Sequence, residues 1–407
     1  MSVQAKPYIG IFGRRNNGKS SLVNALTGQD IAIVSDVAGT TTDPVKKAME
    51  MPGIGPVVLV DTAGIDDTGE LGEKRMARAR AVLSTVDLAL LVLAGNTFGR
   101  FEEELISGFE DYNIPYIIVH NKSDIESLHI KTLDEIRVKS NAKVIDFSAL
   151  INPETGQLLE LIRQLIPESA YRSNSLLGDL IKYGDVVLLI TPIDIEAPEG
   201  RLILPQVQVI RDILDNDGIA VAVKEREADT FLRRMNPKPA LVITDSQVFL
   251  KADAIVPREI PLTSFSILLA RQKGDFRNYL LGTPHLASLK DGDRVLILES
   301  CTHHVSCDDI GRVKIPRWIS NFSGKKLEFE TVAGLNNLPR DIHEFAIVIQ
   351  CGGCMITRKQ IINRLKPAVD AGIPVTNYGM AIAFVHGIYN RAVSLFVEKG
   401  ISHSNYL

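Results

Sequence analysis

Two sets of residues in this chain of 407 have the types and spacing to do chemistry. The first is Gly13-Arg14-Arg15-Asn16-Asn17-Gly18-Lys19-Ser20, a G-x-x-x-x-G-K-S phosphate loop. The apolar run Tyr8-Ile9-Gly10-Ile11-Phe12 ahead of it reads as a buried strand. Ser21-Leu22-Val23-Asn24-Ala25-Leu26 after it has helical spacing, and strand, turn and helix are the context the motif requires. Such a turn and the helix N-terminus behind it present backbone N–H groups to phosphate oxygens. Gly13, Asn17, Gly18, Lys19, Ser20 and Ser21 are the candidate phosphate-binding surface. Lys19 adds a point charge there, and the Ser20 hydroxyl can ligate Mg²⁺.

The second set is sulfur-rich. The four cysteines, Cys301, Cys307, Cys351 and Cys354, all fall in the last third of the chain. Residues 294–298 and 345–349 read as buried strands, the first followed by Glu299-Ser300-Cys301-Thr302-His303-His304 and the second by Gln350-Cys351-Gly352-Gly353-Cys354. Both thiol groups thus stand at carboxyl ends of strands, where parallel sheets place ligands. Cys-x-x-Cys can put two thiolates on one metal, and Gly352 and Gly353 let the backbone approach sulfur. A helical stretch over 357–365 brings a helix N-terminus close by, which favours thiolates and anionic clusters. Cys301, Cys351, Cys354 and His303 are the candidate ligands, with His304 and Cys307 read as spectators. Three thiolates and a histidine suit zinc as well as an iron–sulfur cluster.

Further motifs follow the phosphate loop in order. Residues 36–43 (DVAGTTTD) form a polar, threonine-rich loop. Strand 57–60 ends at Asp61-Thr62-Ala63-Gly64, where an aspartate can hold Mg²⁺ through water and the Gly64 N–H can meet a γ-phosphate. The polar stretch 65–72 can order and release with nucleotide state. A third strand covers 86–93. A fourth, 116–120, leads to Asn121-Lys122-Ser123-Asp124, an N-K-x-D motif. Asp124 can accept two hydrogen bonds from guanine N1–H and the exocyclic amine, a pair that adenine does not offer. The ligand expected is GTP or GDP with Mg²⁺.

The fold class expected is α/β: a P-loop GTPase domain over residues 1–170, followed by two smaller α/β domains with mainly parallel sheets, at 171–260 and 261–407. In the middle segment, strands at 185–190, 219–223 and 240–244 alternate with helices at 204–214 and 225–235. A small sheet with little core of its own is a candidate for self-association, here a homodimer. Asp194, Glu196, Asp215 and Asp217 read as solvated loop charges. Residues 262–271 and 276–281 read as helical. A net charge of −4 argues against a nucleic-acid-coating protein. No apolar stretch approaches the ~20 residues of a membrane helix. The N-terminus runs almost directly into the first strand, which reads as a chain without a signal peptide, at work in the cytoplasm. In that compartment cysteines serve metals or redox chemistry before structural disulfides.

The ordered nucleotide motifs resemble small GTP-binding domains, and are similar to the potassium-dependent bacterial group that includes tRNA-modification GTPases. Asn16 stands where that group places a potassium-ligating asparagine. Ile65 follows D-T-A-G where Ras-like proteins carry a water-positioning glutamine. The resemblance implies K⁺ near the α- and γ-phosphates in place of an arginine finger. It makes Thr41 a γ-phosphate-dependent Mg²⁺ ligand and Lys19, Asn16, Thr41 and Gly64 the catalytic set. Asn121, Lys122, Asp124, and Ser148 and Ala149 after strand 144–147, would hold guanine.

Over nearly the whole length the chain resembles the [FeFe]-hydrogenase maturation GTPases. Their signature is Cys-x-His, a spacer of about fifty residues, then His-Cys-x-x-Cys; Cys301-Thr302-His303 and Cys351-Gly352-Gly353-Cys354 match it, and residues 308–318 look like family sequence. Gln350 stands where the family usually has histidine, so three cysteines and an exchangeable fourth ligand are expected. The resemblance implies a scaffold or carrier that binds a [4Fe-4S] cluster and, transiently, the two-iron subcluster precursor of the hydrogenase. The precursor would come from two radical-SAM maturases and pass to apo-[FeFe]-hydrogenase, with Arg312, Lys314 and Arg317 offsetting the anionic cargo. Two other readings stand beside it: a tRNA-modification-type GTPase, which calls for a basic RNA-binding surface, and a zinc-stabilised regulatory GTPase.

Overall fold

The structure, a computed structural model, describes residues 6–28, 45–61, 82–83, 85–149, 155–167, 170, 175–192, 202–300, 309–334, 336, 338–354 and 356–397. The chain divides into two compact units, Val3–Ser173 and Asn174–Leu407.

The first unit is built on strands β1 (Tyr8–Phe12), β2 (Val45–Met51), β3 (Gly55–Asp61), β4 (Leu88–Ala94), β5 (Tyr116–Asn121) and β6 (Val144–Phe147). They lie in the order β2-β3-β1-β4-β5-β6. β2 is antiparallel to β3, and every other pairing is parallel. β4 reads Leu-Ala-Leu-Leu-Val-Leu-Ala without alternation, as a strand covered on both faces must. Leu90 and Val92 join Ile9, Ile11, Leu22, Leu26, Leu158 and Ile162 in one core, beneath the helices Lys19–Thr27 and Thr155–Leu165. Leu91 and Leu93 join Phe12, Leu105 and Phe109 in another, beneath the helix Arg100–Asp111. Sequence pattern leaves 45–51 without an element because lysines occupy 46 and 47. The structure pairs it with β3 from Val45 opposite Asp61 to Met51 opposite Gly55. A charged outer row suits an edge strand, which must not invite another chain.

The second unit holds two wholly parallel sheets. β7 (Val186–Ile190), β8 (Ile219–Val223), β9 (Leu241–Thr244) and β10 (Leu262–Ser264) lie in the order β10-β9-β7-β8. β11 (Arg294–Leu298), β12 (Glu328–Val332), β13 (Ile347–Gln350) and β14 (Val375–Asn377) lie in the order β12-β11-β13-β14. Leu188, Val242, Leu269, Tyr279, Leu296, Val348 and Met380 belong to one continuous core that both sheets share. Ile297, Ile349, Ile315 and Ile319 form a separate core.

The helix expected over 262–271 is corrected at its start. Leu262, Thr263 and Ser264 pair with Val242, Ile243 and Thr244 as β10, so the sheet runs past residue 260. The helix is Phe265–Lys273, and its N-cap Ser264 accepts the Ile267 N–H at 3.3 Å. A short apolar run suits a buried strand as well as a helix, and periodicity alone does not separate them. Among the described residues no helix is long and apolar enough to cross a membrane.

Phe109 is fully buried and meets Phe12 edge-on at 5.2 Å between ring centroids. Phe12 is the last residue before the phosphate loop. Phe109→Ala is expected to cost the first unit about 3–5 kcal/mol. In urea denaturation the first unit should unfold earlier while the transition of the second stays in place; a loss under about 1 kcal/mol would contradict this packing.

Candidate functional site

The turn after β1 is held open by its own backbone. Gly18 caps the helix Lys19–Thr27 at φ 81° and ψ 29°, a left-handed conformation that only glycine enters freely. A Cβ at Gly18 would collide with the Asn121 amide nitrogen. That amide is the strut of the site: Asn121 Nδ2 donates to Asn17 O at 2.9 Å and to Gly18 O at 3.4 Å. Its Oδ1 accepts the Ala149 N–H at 3.3 Å. One side chain, 1 % exposed, thus joins the loops after β1, β5 and β6. Lys19 is buried, and its Nζ donates to Gly13 O at 2.9 Å and Arg14 O at 2.8 Å. The ammonium therefore lies within the curve of the turn, where phosphate oxygens would sit.

Two variable positions of the motif brace it from outside. Arg14 makes a two-pronged ion pair, 2.8 Å on each prong, with Glu102. Glu102 is fully buried and also accepts the Gly99 N–H at 3.0 Å. Asn17 Nδ2 donates to Val92 O at 2.7 Å. The motif pattern fixes only its glycines, lysine and serine, so no sequence signal marked these braces. Asn16 is exposed with φ 63°, and Ser20 is exposed in the first helical turn. Ser21, Lys122 and Ser148 are half-buried, and Asp124 is exposed. Thr41 and Gly64 lie outside the described residues, as does the side chain of Asp61. The described part can receive a phosphate chain at one end and a base at the other, with Asn121 fixing the distance between them.

In the second unit β11 and β13 are parallel neighbours, with Leu298 opposite Gln350. The Cys351 N–H continues the ladder onto Leu298 O at 2.9 Å, so Cys351 stands beside the turn that follows β11. Its sulfur accepts the Ser300 N–H at 3.1 Å and lies 2.9 Å from Ser300 Oγ. Gln350 is fully buried; its Nε2 donates to Ser300 Oγ at 3.0 Å, to Cys351 O at 3.2 Å and to Cys351 Sγ at 3.5 Å. The amide nitrogen is thus engaged with its neighbours, while Oε1, the atom that could ligate a metal, is buried without a hydrogen-bond partner among the described residues. Gly353 has φ 65°, and a Cβ on it would strike Ile361, which keeps the Cys-x-x-Cys turn tight. Behind it Thr357 caps the helix Arg358–Asp370: Thr357 Oγ1 accepts the Gln360 N–H and Gln360 Oε1 accepts the Thr357 N–H.

Cys351 and Cys354 are half-buried and neither forms a disulfide. Cys301, His303, His304 and Cys307 lie outside the described residues. Among the described residues no three histidine, cysteine or acidic side chains gather to hold a metal. The donors at Cys351 nonetheless suit electron-rich sulfur, because an N–H and an amide N–H point at Sγ and a half-buried lysine lies behind the turn. Lys273 Nζ donates to Gly353 O at 3.2 Å and to Cys354 O and Ile356 O at 3.3 Å. Burial lowers the pKa of this ammonium, and the Cys354 and Cys351 sulfurs push it back up. A soft metal or a metal–sulfur group fits this donor set.

Of the cations expected to face the cargo, two have partners within the fold. Arg312 pairs with the buried Glu299 at 3.0 Å and Lys314 Nζ donates to Gln247 Oε1 at 2.7 Å; Arg317 is exposed. Lys273 and Ser300 went unread. Lys273 comes from a helix eighty residues before the Cys-x-x-Cys turn in sequence, and Ser300 meets Cys351 and Gln350 from fifty residues away, so neither leaves a local signature.

A model of the 50S ribosome-binding GTPases matches residues 8–122. The hydrogen maturase F dimerization domain matches residues 176–274, and the hydrogen maturase F tetramerization domain matches residues 277–395. Among curated proteins the chain is 37% identical over 164 residues to GTPase Der of Wolinella succinogenes, an overlap of 39% of this chain and 34% of that one. It is 32% identical over 170 residues to tRNA modification GTPase MnmE of Nitrosomonas eutropha, 42% of this chain and 36% of that one. MnmE of Bacillus velezensis is 39% identical over 171 residues, 41% of this chain and 36% of that one. The chain spans about a third of the length of these curated relatives. The first unit is therefore a GTPase domain, and with both maturase-specific domains following it in order, the chain belongs to the hydrogen maturase F family.

Proposed function

We propose that this hydrogenase-maturation GTPase is a nucleotide-governed carrier. In this reading it binds a [4Fe-4S] cluster and delivers the two-iron subcluster precursor to apo-[FeFe]-hydrogenase. The observation that carries the reading is the Cys351–Cys354 turn at the end of β13, with Ser300 and Gln350 donors on Cys351 sulfur and the Lys273 ammonium behind it, in a unit that matches the maturase domains. Cys301, Cys351 and Cys354 would hold three irons, leaving the fourth corner for His303 or an exchangeable ligand. An open corner is what docking and release of a second iron unit require. The likeness to tRNA-modification GTPases extends over only about two fifths of the chain, while the rest matches maturase domains, which favours a metal cargo over RNA.

In the first unit, Lys19 and the turn's N–H groups would grip the phosphates, Ser20 and Thr41 would hold Mg²⁺ with Asp61 behind water, and Gly64 would meet the γ-phosphate. Asn16, exposed and left-handed, would ligate K⁺. Hydrolysis would govern exchange between two radical-SAM maturases and the apo-hydrogenase. The segments 1–170, 171–260 and 261–407 would divide nucleotide, assembly and cargo roles. For assembly the open edge of the first sheet of the second unit is suited. β8 lies at that edge with Ile219 50% exposed, flanked by Val207 at 46% and Leu214 at 56%, and a homodimer would cover them.

Three measurements test this reading. Asp124→Asn removes a charged acceptor for guanine worth about 1.5–3 kcal/mol; GTP affinity should fall at least tenfold and xanthosine nucleotide should begin to bind. ATP competing as well as GTP on the wild type would overturn the base assignment.

GTP hydrolysis should run faster in K⁺ than in Na⁺ at equal ionic strength, and Asn16→Ala should remove the difference. Equal wild-type rates in the two salts would rule out the K⁺ site.

Iron and sulfide analysis after anaerobic reconstitution should give a [4Fe-4S] cluster. Cys301→Ser, Cys351→Ser or Cys354→Ser should each abolish it, while Cys307→Ser keeps it and GTPase activity survives all four. Full iron in any of the first three would show that the ligands are misassigned, and zinc in place of iron would favour a regulatory GTPase.

A further inference from the structure

The ammonium of Lys273 is a half-buried charge whose described partners are all neutral. An ammonium has three N–H donors, and here all three go to backbone carbonyls, those of Gly353, Cys354 and Ile356. Among the described residues no carboxylate forms an ion pair with it. Withdrawing a cation even partly from water costs free energy unless an opposite charge faces it, and a lysine kept only to tie carbonyls together could be a neutral donor. The surroundings do not supply the missing negative charge. Arg364 donates to the carbonyls of Glu299 and Val332 at 2.6 and 2.7 Å, adding a second cation near Cys351. The buried carboxylate nearest to hand, Glu299, is already paired with Arg312, beside which the buried Asp309 also lies. Lys273 and Arg364 thus set two cations against neutral carbonyls beside the turn, and thiolate sulfur is suited to balance them.

We infer that Lys273 is the counter-cation of the Cys351–Cys354 turn: it fixes the turn through three carbonyls and offsets the negative charge of thiolates and of whatever metal–sulfur group they hold. This rests on the iron–sulfur reading above and adds to it a positioning residue outside the cysteine signature. The consequence is electrostatic. An electron added to a bound cluster raises its negative charge, and a nearby fixed cation stabilises that reduced form. Removing the cation while keeping a hydrogen-bonding side chain should therefore make the cluster harder to reduce.

The test uses the full chain, anaerobically reconstituted with iron and sulfide, as wild type, Lys273→Gln and Lys273→Arg. Iron content and the cluster's midpoint potential, followed by electron paramagnetic resonance during reductive titration, are the two readouts. Lys273→Gln should keep iron and become about tenfold harder to reduce, about 59 mV for one electron. Lys273→Arg should stay close to wild type. A potential unmoved in Lys273→Gln, or an equal shift in Lys273→Arg, overturns the inference. Should Lys273→Gln lose its iron, Lys273→Arg decides: retained iron at the wild-type potential supports a counter-cation, and loss in both reduces Lys273 to a fold staple and overturns it. A wild type that takes up no iron overturns the carrier reading itself, whereas iron in the wild type with an unshifted Lys273→Gln overturns the counter-cation alone.

Discussion

Parallel pairing is the constraint from which both candidate sites follow. A parallel strand ends with its carbonyls and the next loop at the same edge as its neighbour's, because each return crosses the sheet through a helix. In the first unit that rule gathers the loops after β1, β5 and β6, so that a single amide on Asn121 can touch two of them from the third. In the second unit the same rule places the turns after β11 and β13 side by side, and the Cys351 N–H on Leu298 O sets their register. Both sites are thus products of one topology used twice, filled with different chemistry. Glycine and backbone N–H groups serve phosphate in one case, cysteine and backbone N–H groups serve sulfur in the other.

Both sites also hold a lysine in the same manner. Lys19 and Lys273 are drawn inward by backbone carbonyls. A carbonyl orients an ammonium without neutralising it, so the charge of Lys273 remains available to an anion. A carboxylate in the same place would cancel it, as Glu299 does for Arg312. The opposite solution appears at Arg14, where the two-pronged pair with Glu102 takes a cation out of play and turns it into a brace for the loop.

How far the sequence carried the reading depended on where each signal resides. The phosphate loop, N-K-x-D and Cys-x-x-Cys are local patterns, and the strands ahead of them are apolar runs; β6, β8 and β11 fall where pattern alone places them. β2 was illegible because its outer row is charged, and β10 because three apolar-to-small residues look like the first turn of the helix they precede. The braces at Arg14 and Asn17 sit at positions where the motif tolerates any residue. Lys273, Gln350 and Ser300 act through neighbours that only the folded sheet brings near. The same limit explains Arg312, whose partner Glu299, thirteen residues away, is set beside it by the fold rather than by any local pattern.

The helix Phe265–Lys273 has a consequence for how this family can be cut and recombined. It starts from β10, in the sheet matched by the dimerization domain, and its last residue reaches under the cysteine turn matched by the tetramerization domain. The nine residues span about 13 Å. The seam between the two domains, drawn from sequence between 274 and 277, passes just after Lys273. The two segments are therefore not interchangeable parts: a graft that moved only the cysteine-bearing segment into another scaffold would carry the sulfurs and leave the ammonium behind. Inheritance of the pair as one piece is a physical requirement of the shared core, whatever order the segments were first joined in.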